Sequence, residues 1–292
     1  MTSAIGRFPK IDPHKLCSSC RLTHVIPDLG KPGQKEAWYR LETAKRRLVY
    51  SLLNLDVPVL NKLDDSKDGL SFEFLADPDP DGKDAKPVLT GHADGVITIN
   101  LAEADSAERE KRRIEMNGPY RTVLGHFRHE VGHYYWDRLI RDSDRLADFR
   151  ALFGDDQKDY QEALKHHYSK GPNPEWQQQY VSAYASVHPW EDWAETWAHY
   201  LHTHDVLESA YACGLTLRPR GANEPKIKAV PRPRPDRPES FNHMIKCWFP
   251  LTYLLNNLNR DLGLPDGYPF VLSEPVIEKL RFVHETIGSA SS

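Results

Sequence analysis

Two histidines four residues apart, with a glutamate between them, set the tightest constraint on how this 292-residue chain folds. The segment is His129-Glu130-Val131-Gly132-His133. Val123, Leu124, Phe127, Val131 and Tyr134 recur around it at the helical period and form an apolar stripe. Asn117-Gly118-Pro119 is read as the opening of that helix, since asparagine can cap a helix and proline suits its first turn. At about 100° per residue, His129 and His133 point to the same side, one turn apart. Two imidazoles so placed can bind one zinc ion together, and Glu130 falls where it can hold a water. Neutral imidazoles bind zinc without cancelling its charge, so the ion can acidify a water whose proton a carboxylate then takes. The competing reading is a surface helix with two exposed histidines, which the apolar stripe disfavours.

A third ligand is expected downstream. The best segment is His188-Pro-Trp-Glu-Asp-Trp-Ala-Glu-Thr-Trp-Ala-His-Tyr200. Pro189 can start a helix on which Trp190, Trp193, Trp197 and Tyr200 form an apolar face. Glu191 and Glu195 share a different face, four apart. Glu191 can bind zinc while Glu195 hydrogen-bonds the far nitrogen of a ligand histidine and fixes its tautomer. Unpaired carboxylates in so tryptophan-rich a stretch would be costly, which favours a functional role over a solvated face. His188, His199, His202 and His204 compete for the third position, although each alone fits a surface or packed histidine better. Asp137, four after His133, is an alternative to Glu195; His126, three before His129, could line the cleft, although a bland exposed role fits it better.

The rest of the chain reads as α+β, mainly helical with a small sheet. Leu41, Leu48, Leu52 and Leu55 predict a helix over 36–55, and the alternation in 70–75 and 95–101 predicts two strands. Asp77-Pro-Asp-Pro-Asp-Gly82 reads as a turn-rich loop. Further helices are expected over 144–168, 174–186, 189–211, 241–262 and 274–287. Residues 217–240, with Pro-Arg-Pro-Arg-Pro inside them, read as an exposed, flexible insertion. Charged residues at 27%, hydrophobic ones at 39% and a net charge of -4 are ordinary for a soluble globular protein and point to neither nucleic acid nor a membrane. The most apolar run, Cys247 to Leu255, is short and interrupted by Pro250, and no signal peptide is visible, so a cytoplasmic location is the default expectation. Four cysteines are too few for a disulfide framework, and Cys213 and Cys247 read as buried thiols.

Taken together, Tyr120-Arg-Thr-Val-Leu-Gly-His-Phe-Arg-His-Glu-Val-Gly-His-Tyr-Tyr-Trp-Asp137 and His188–Leu201 resemble the bacterial family of zinc-binding metallopeptidases, a family named for its predicted activity. Weaker similarity lies at Thr98–Asp105 and Gly267–Val271. The resemblance implies a zincin-like fold with a small sheet, an active-site helix and a glutamate as third ligand. A more distant likeness, to the catalytic domain of anthrax lethal factor, implies that the first glutamate of the second motif, Glu191, binds zinc. There a tyrosine seven residues earlier assists catalysis, and here that position is Tyr184. A phenol can donate a hydrogen bond to the oxyanion formed when water adds to a carbonyl. Relatives usually carry an N-terminal zinc ribbon with two cysteine pairs, whereas this chain has only Cys17 and Cys20. Residues 1–35 are therefore expected to be an irregular remnant of a ribbon, with residues 36–292 as the peptidase-like domain. His14 and His24 could complete a second zinc site with that pair, and two ordinary reduced thiols fit equally well.

The expectation is a Zn2+-dependent hydrolase of peptide or protein substrates, with His129, His133 and Glu191 as ligands and Glu130 as general base. Two alternatives use the same residues: a zinc hydrolase of a non-peptide substrate, and an interaction module that binds zinc without turnover. The 217–240 loop is a possible docking point for a protein partner.

Overall fold

The computed structural model describes residues 16–78, 86–105 and 122–290. The expected helix opening at Asn117–Pro119, most of the 77–82 turn and His14 lie outside the described residues. The chain divides into two compact units, Met1–Leu146 and Ala147–Ser292. That division falls inside the span 36–292 expected to form one domain. Among the described residues there are seven α-helices and one four-stranded sheet, the mainly helical α+β class read from the sequence.

The first unit holds the sheet. β1 (Thr23–Val25), β2 (Ser71–Leu75), β3 (Gly91–Ala93) and β4 (Val96–Asn100) take the order β1-β2-β4-β3. β2 pairs with β1 and β4 in parallel, and β3 returns antiparallel to β4. The return is made by Asp94-Gly95, both at positive φ (48° and 77°), the backbone a two-residue hairpin requires. A side chain at Gly95 would also collide with the carbonyl oxygen of Gly69. Helices α1 (Gln34–Asn54) and α2 (Val123–Leu139) complete the unit.

Leu41, Leu48 and Leu52 of α1 are fully buried, as are Phe72 and Phe74 of β2 and Ile97 of β4. Phe127 of α2 sits 5.7 Å and 6.2 Å, ring to ring, from Phe72 and Phe74. Each such side chain removed from water stabilises the fold by roughly 2 kcal/mol. Lys45 of α1 is buried too, paired with Glu42 at 3.0 Å and hydrogen-bonded to Thr23, which ties α1 to β1. The hydroxyls of Tyr134 and Tyr135 donate to the carbonyls of Asp68 and Pro58, each at 2.9 Å, and so fix α2 against the 58–68 loop.

The second unit is helical: α3 (Leu146–Phe153), α4 (Tyr160–Lys170), α5 (Pro189–Ala212), α6 (Pro238–Asp261) and α7 (Glu274–Ala290). The expected helix over 144–168 is two helices. Gly154 at φ 101° ends the first, and the Asp159 carboxylate caps the second by accepting from Glu162 N at 2.9 Å. The helix expected over 174–186 is replaced by two 3-10 turns, Trp176–Gln178 and Tyr184–Ser186. There the Ser182 hydroxyl accepts from Ala185 N at 3.1 Å and donates to Glu195 at 2.6 Å, an alternative to helical hydrogen bonding.

Trp193, Trp197 and Tyr200 of α5 are buried as the apolar face predicts, while Trp190 is half-buried. Phe149, Phe153 and Phe282 surround Trp193 at ring separations of 5.9–6.1 Å. Residues 217–240 are largely exposed, yet they are anchored. Leu217 and Ile227 exchange two backbone hydrogen bonds, Ile227 and Val230 are buried, and α6 begins at Pro238. Cys247 is buried as expected, but Cys213 is exposed, because α5 ends at Ala212 and leaves it on the helix's outer end. No described helix is long and apolar enough to cross a membrane.

Candidate metal centre

Helix α2 carries the histidine pair. The Thr122 hydroxyl caps it, accepting from Gly125 N at 2.9 Å, so its first turn is fixed one turn before His129. His129 and His133 are buried, and their Nε2 atoms lie 3.2 Å apart with the rings at 83°. Two nitrogens on a tetrahedral zinc, each about 2.05 Å from the ion, are separated by about 3.3 Å. The spacing therefore suits one shared metal ion.

Glu130 points to a different partner. Its Oε1 lies 3.1 Å from Nε2 of His126, whose Nδ1 lies 3.5 Å from Oε2 of Glu103. Burial pushes the Glu130 carboxyl up, but the hydrogen bond and charge of His126, helped by the neighbouring imidazoles, hold it at about 2. Burial opposes protonation of His126, yet Glu103 and Glu130 on its two ring nitrogens raise it to about 9. Near neutral pH the arrangement is a protonated imidazole between two carboxylates, and Glu130 is in its proton-accepting form. The exposed role favoured for His126 does not hold. The residue is instead four-fifths buried in its side chain and orients Glu130. Asp137 pairs with Arg141 at 3.0 Å on the same helix.

In the second unit, the first turn of α5 carries Glu191. His188 is the N-cap: its Nδ1 accepts from Trp190 N at 3.1 Å, so Nε2 carries the proton and donates to the Lys158 carbonyl at 3.1 Å. Glu191 is buried, and its Oε1 accepts from the hydroxyl of Tyr160 at 2.5 Å. Asp192 forms a buried ion pair with Lys279 of α7 at 2.6 Å, and the same ammonium donates to the Gln179 carbonyl at 2.8 Å. Tyr184 is half-buried beside these groups and hydrogen-bonded to Tyr160. Burial, with the charge of Glu191, raises its phenol far above the usual range, so it stays a donor. Glu195, the expected orienting carboxylate, accepts from Ser182 within its own unit.

The rival histidines of α5 have packing partners in the second unit. His199 Nδ1 lies 2.8 Å from the Tyr268 hydroxyl, and His202 packs 5.3 Å from Tyr268 and 5.7 Å from Trp248. His204 is buried next to Asp205 at 3.6 Å. Tyr160 carries no signal in the sequence, because 31 residues separate it from Glu191 and no motif links the two.

A mainly helical α+β protein with a buried His-Glu-x-x-His helix is the class these features define. The chain belongs to the family described as "Putative zinc-binding metallo-peptidase", whose match spans residues 34–286. Uncharacterized proteins of Mycobacterium bovis and Mycobacterium tuberculosis are each 47% identical over 278 residues, covering 94% of this chain and 77% of the relative. No solved structure matches the chain.

Proposed function

We propose that the chain is a zinc-dependent peptidase of zincin-like fold, with His129, His133 and Glu191 as the protein ligands of one zinc ion. The observation that carries this reading is the 3.2 Å approach of the two Nε2 atoms on α2, which fits a shared zinc. Membership of a family described by zinc binding and peptidase activity supports it. Glu191 enters as third ligand through the resemblance of its helix motif to known zinc peptidases. Its burial in a first turn held by His188, Tyr160 and Asp192 gives a ligand of fixed orientation.

Bound zinc supplies Lewis acidity that makes a water acidic near neutral pH. Glu130, held as a carboxylate by His126, takes the proton of the attacking water and passes it to the leaving amine. Tyr184, kept protonated, turns its hydroxyl from Tyr160 to the oxyanion of the tetrahedral species. Glu195, which accepts from Ser182, is assigned by its spacing of four from Glu191 as the carboxylate that orients a ligand imidazole.

Elemental analysis tests the ligand set. The wild-type chain is expected to hold one zinc per molecule, and His129→Ala, His133→Ala and Glu191→Ala each to lose it. Glu130→Gln keeps the zinc and loses turnover. Stoichiometric zinc in Glu191→Ala would show that another residue is the third ligand. Zinc without cleavage of any peptide would favour a binding module.

A further inference from the structure

Glu191 stands at the third position of its helix, where a carboxylate on a flexible two-carbon stem could adopt several rotamers. Tyr160, the first residue of α4, removes that freedom, since its hydroxyl donates to Glu191 Oε1 at 2.5 Å, the length of a strong charge-assisted bond. The tyrosine is in turn held by its surroundings. Its ring meets His188 edge-on at 5.4 Å and Trp190 at 6.2 Å. His188 bridges the two helix starts, accepting from Trp190 N and donating to the Lys158 carbonyl, two residues before Tyr160. The Asp159 cap sets the first turn of α4 itself. Tyr184 is hydrogen-bonded to the same phenol, giving a chain from Tyr184 through Tyr160 to Glu191.

We propose that Tyr160 is a positioning residue for the zinc site, fixing the Glu191 carboxylate in its ligating orientation through one hydrogen bond from its hydroxyl. The proposal rests on the reading of Glu191 as a zinc ligand. It divides the two tyrosines by role: Tyr160 acts on the ligand, and Tyr184 on the reacting carbonyl. Partners that orient a ligand in this way typically change metal affinity by about 10- to 100-fold when removed.

The test is zinc affinity of the full chain, measured by competition with a chromogenic zinc chelator, which needs no substrate. Tyr160→Phe removes the hydroxyl and keeps the ring against His188 and Trp190. Its zinc Kd is expected to rise about 10- to 100-fold, with the melting temperature of the metal-free chain close to wild type. In a Glu191→Ala background the same substitution is expected to change the residual affinity no further, since the group it orients is gone. Wild-type affinity in Tyr160→Phe, alongside a large loss in Glu191→Ala, overturns the proposal and leaves the ligand set intact. Equal losses in both backgrounds, or marked destabilisation of the metal-free variant, would assign Tyr160 a purely structural role and also overturn it. Wild-type affinity in Glu191→Ala would instead remove the reading on which the proposal rests.

Discussion

At the scale of single residues, the proposed chemistry is divided between one base and one donor whose ionisation states are set by their neighbours. Glu130 is held as a carboxylate by His126, and Tyr184 as a phenol by burial and by Glu191. Tyr184→Phe is therefore expected to leave zinc content unchanged and to lower kcat by about 10²–10³, the usual effect of removing one oxyanion donor. A peptide-cleavage assay on zinc-loaded protein checks this, and an unchanged kcat would take Tyr184 out of the mechanism. The histidine pair was legible in the sequence because a spacing of four and a helical stripe are local properties. His126 was not, because its role depends on Glu103, 23 residues earlier on a different element. Tyr160 stayed invisible for the same reason: its partner is fixed by how α4 and α5 start, which no short window of sequence records.

At the scale of elements, α5 is the part whose placement matters most, and its first turn is held by charge as well as packing. The buried Asp192–Lys279 pair joins it to α7 at 2.6 Å. Burial pushes Asp192 up to about 7 even against the opposing pull of Lys279. Lys279→Met would leave that carboxyl buried without its cation, at a cost of about 3 kcal/mol. Urea unfolding of the metal-free variant reads this directly, and a change below about 1 kcal/mol would show that the pair contributes little. The long helices α1, α5, α6 and α7 were legible within a few residues, since each runs for more than four turns. The three-residue strands β1 and β3 were not, being too short to show a period. The break at Gly154 and the cap at Asp159 carry local sequence signals, a glycine after one helix and an N-cap residue before the next.

At the scale of the whole molecule, the two units were not visible in the sequence, because no composition shift or linker marks residue 146. Stability as a function of pH is also a property of the whole chain, and a buried histidine sets one limit on it. His202 packs among Trp248 and Tyr268, and burial lowers it to about 4. An ordinary histidine in the unfolded chain takes its proton near 6.5. Between those values the unfolded chain binds a proton that the folded chain does not. Stability is therefore expected to fall as the pH drops from about 6.5 to about 4, by up to about 3 kcal/mol from this residue alone. Urea midpoints at pH 7 and pH 4.5 for wild type and His202→Phe check the assignment: the variant should lose less, and equal losses would contradict it.

The proposed reaction is peptide-bond cleavage with Glu130 as base beside a metal-binding histidine pair. Digestion of a broad peptide library by zinc-loaded wild type and zinc-loaded Glu130→Gln, with new termini identified by mass spectrometry, tests it most directly. The expected result is a set of cut sites made by the wild type and lost, by at least about 100-fold in rate, in the variant. No cut sites with zinc-loaded wild type, or the same cut sites at the same rate in both proteins, would contradict it.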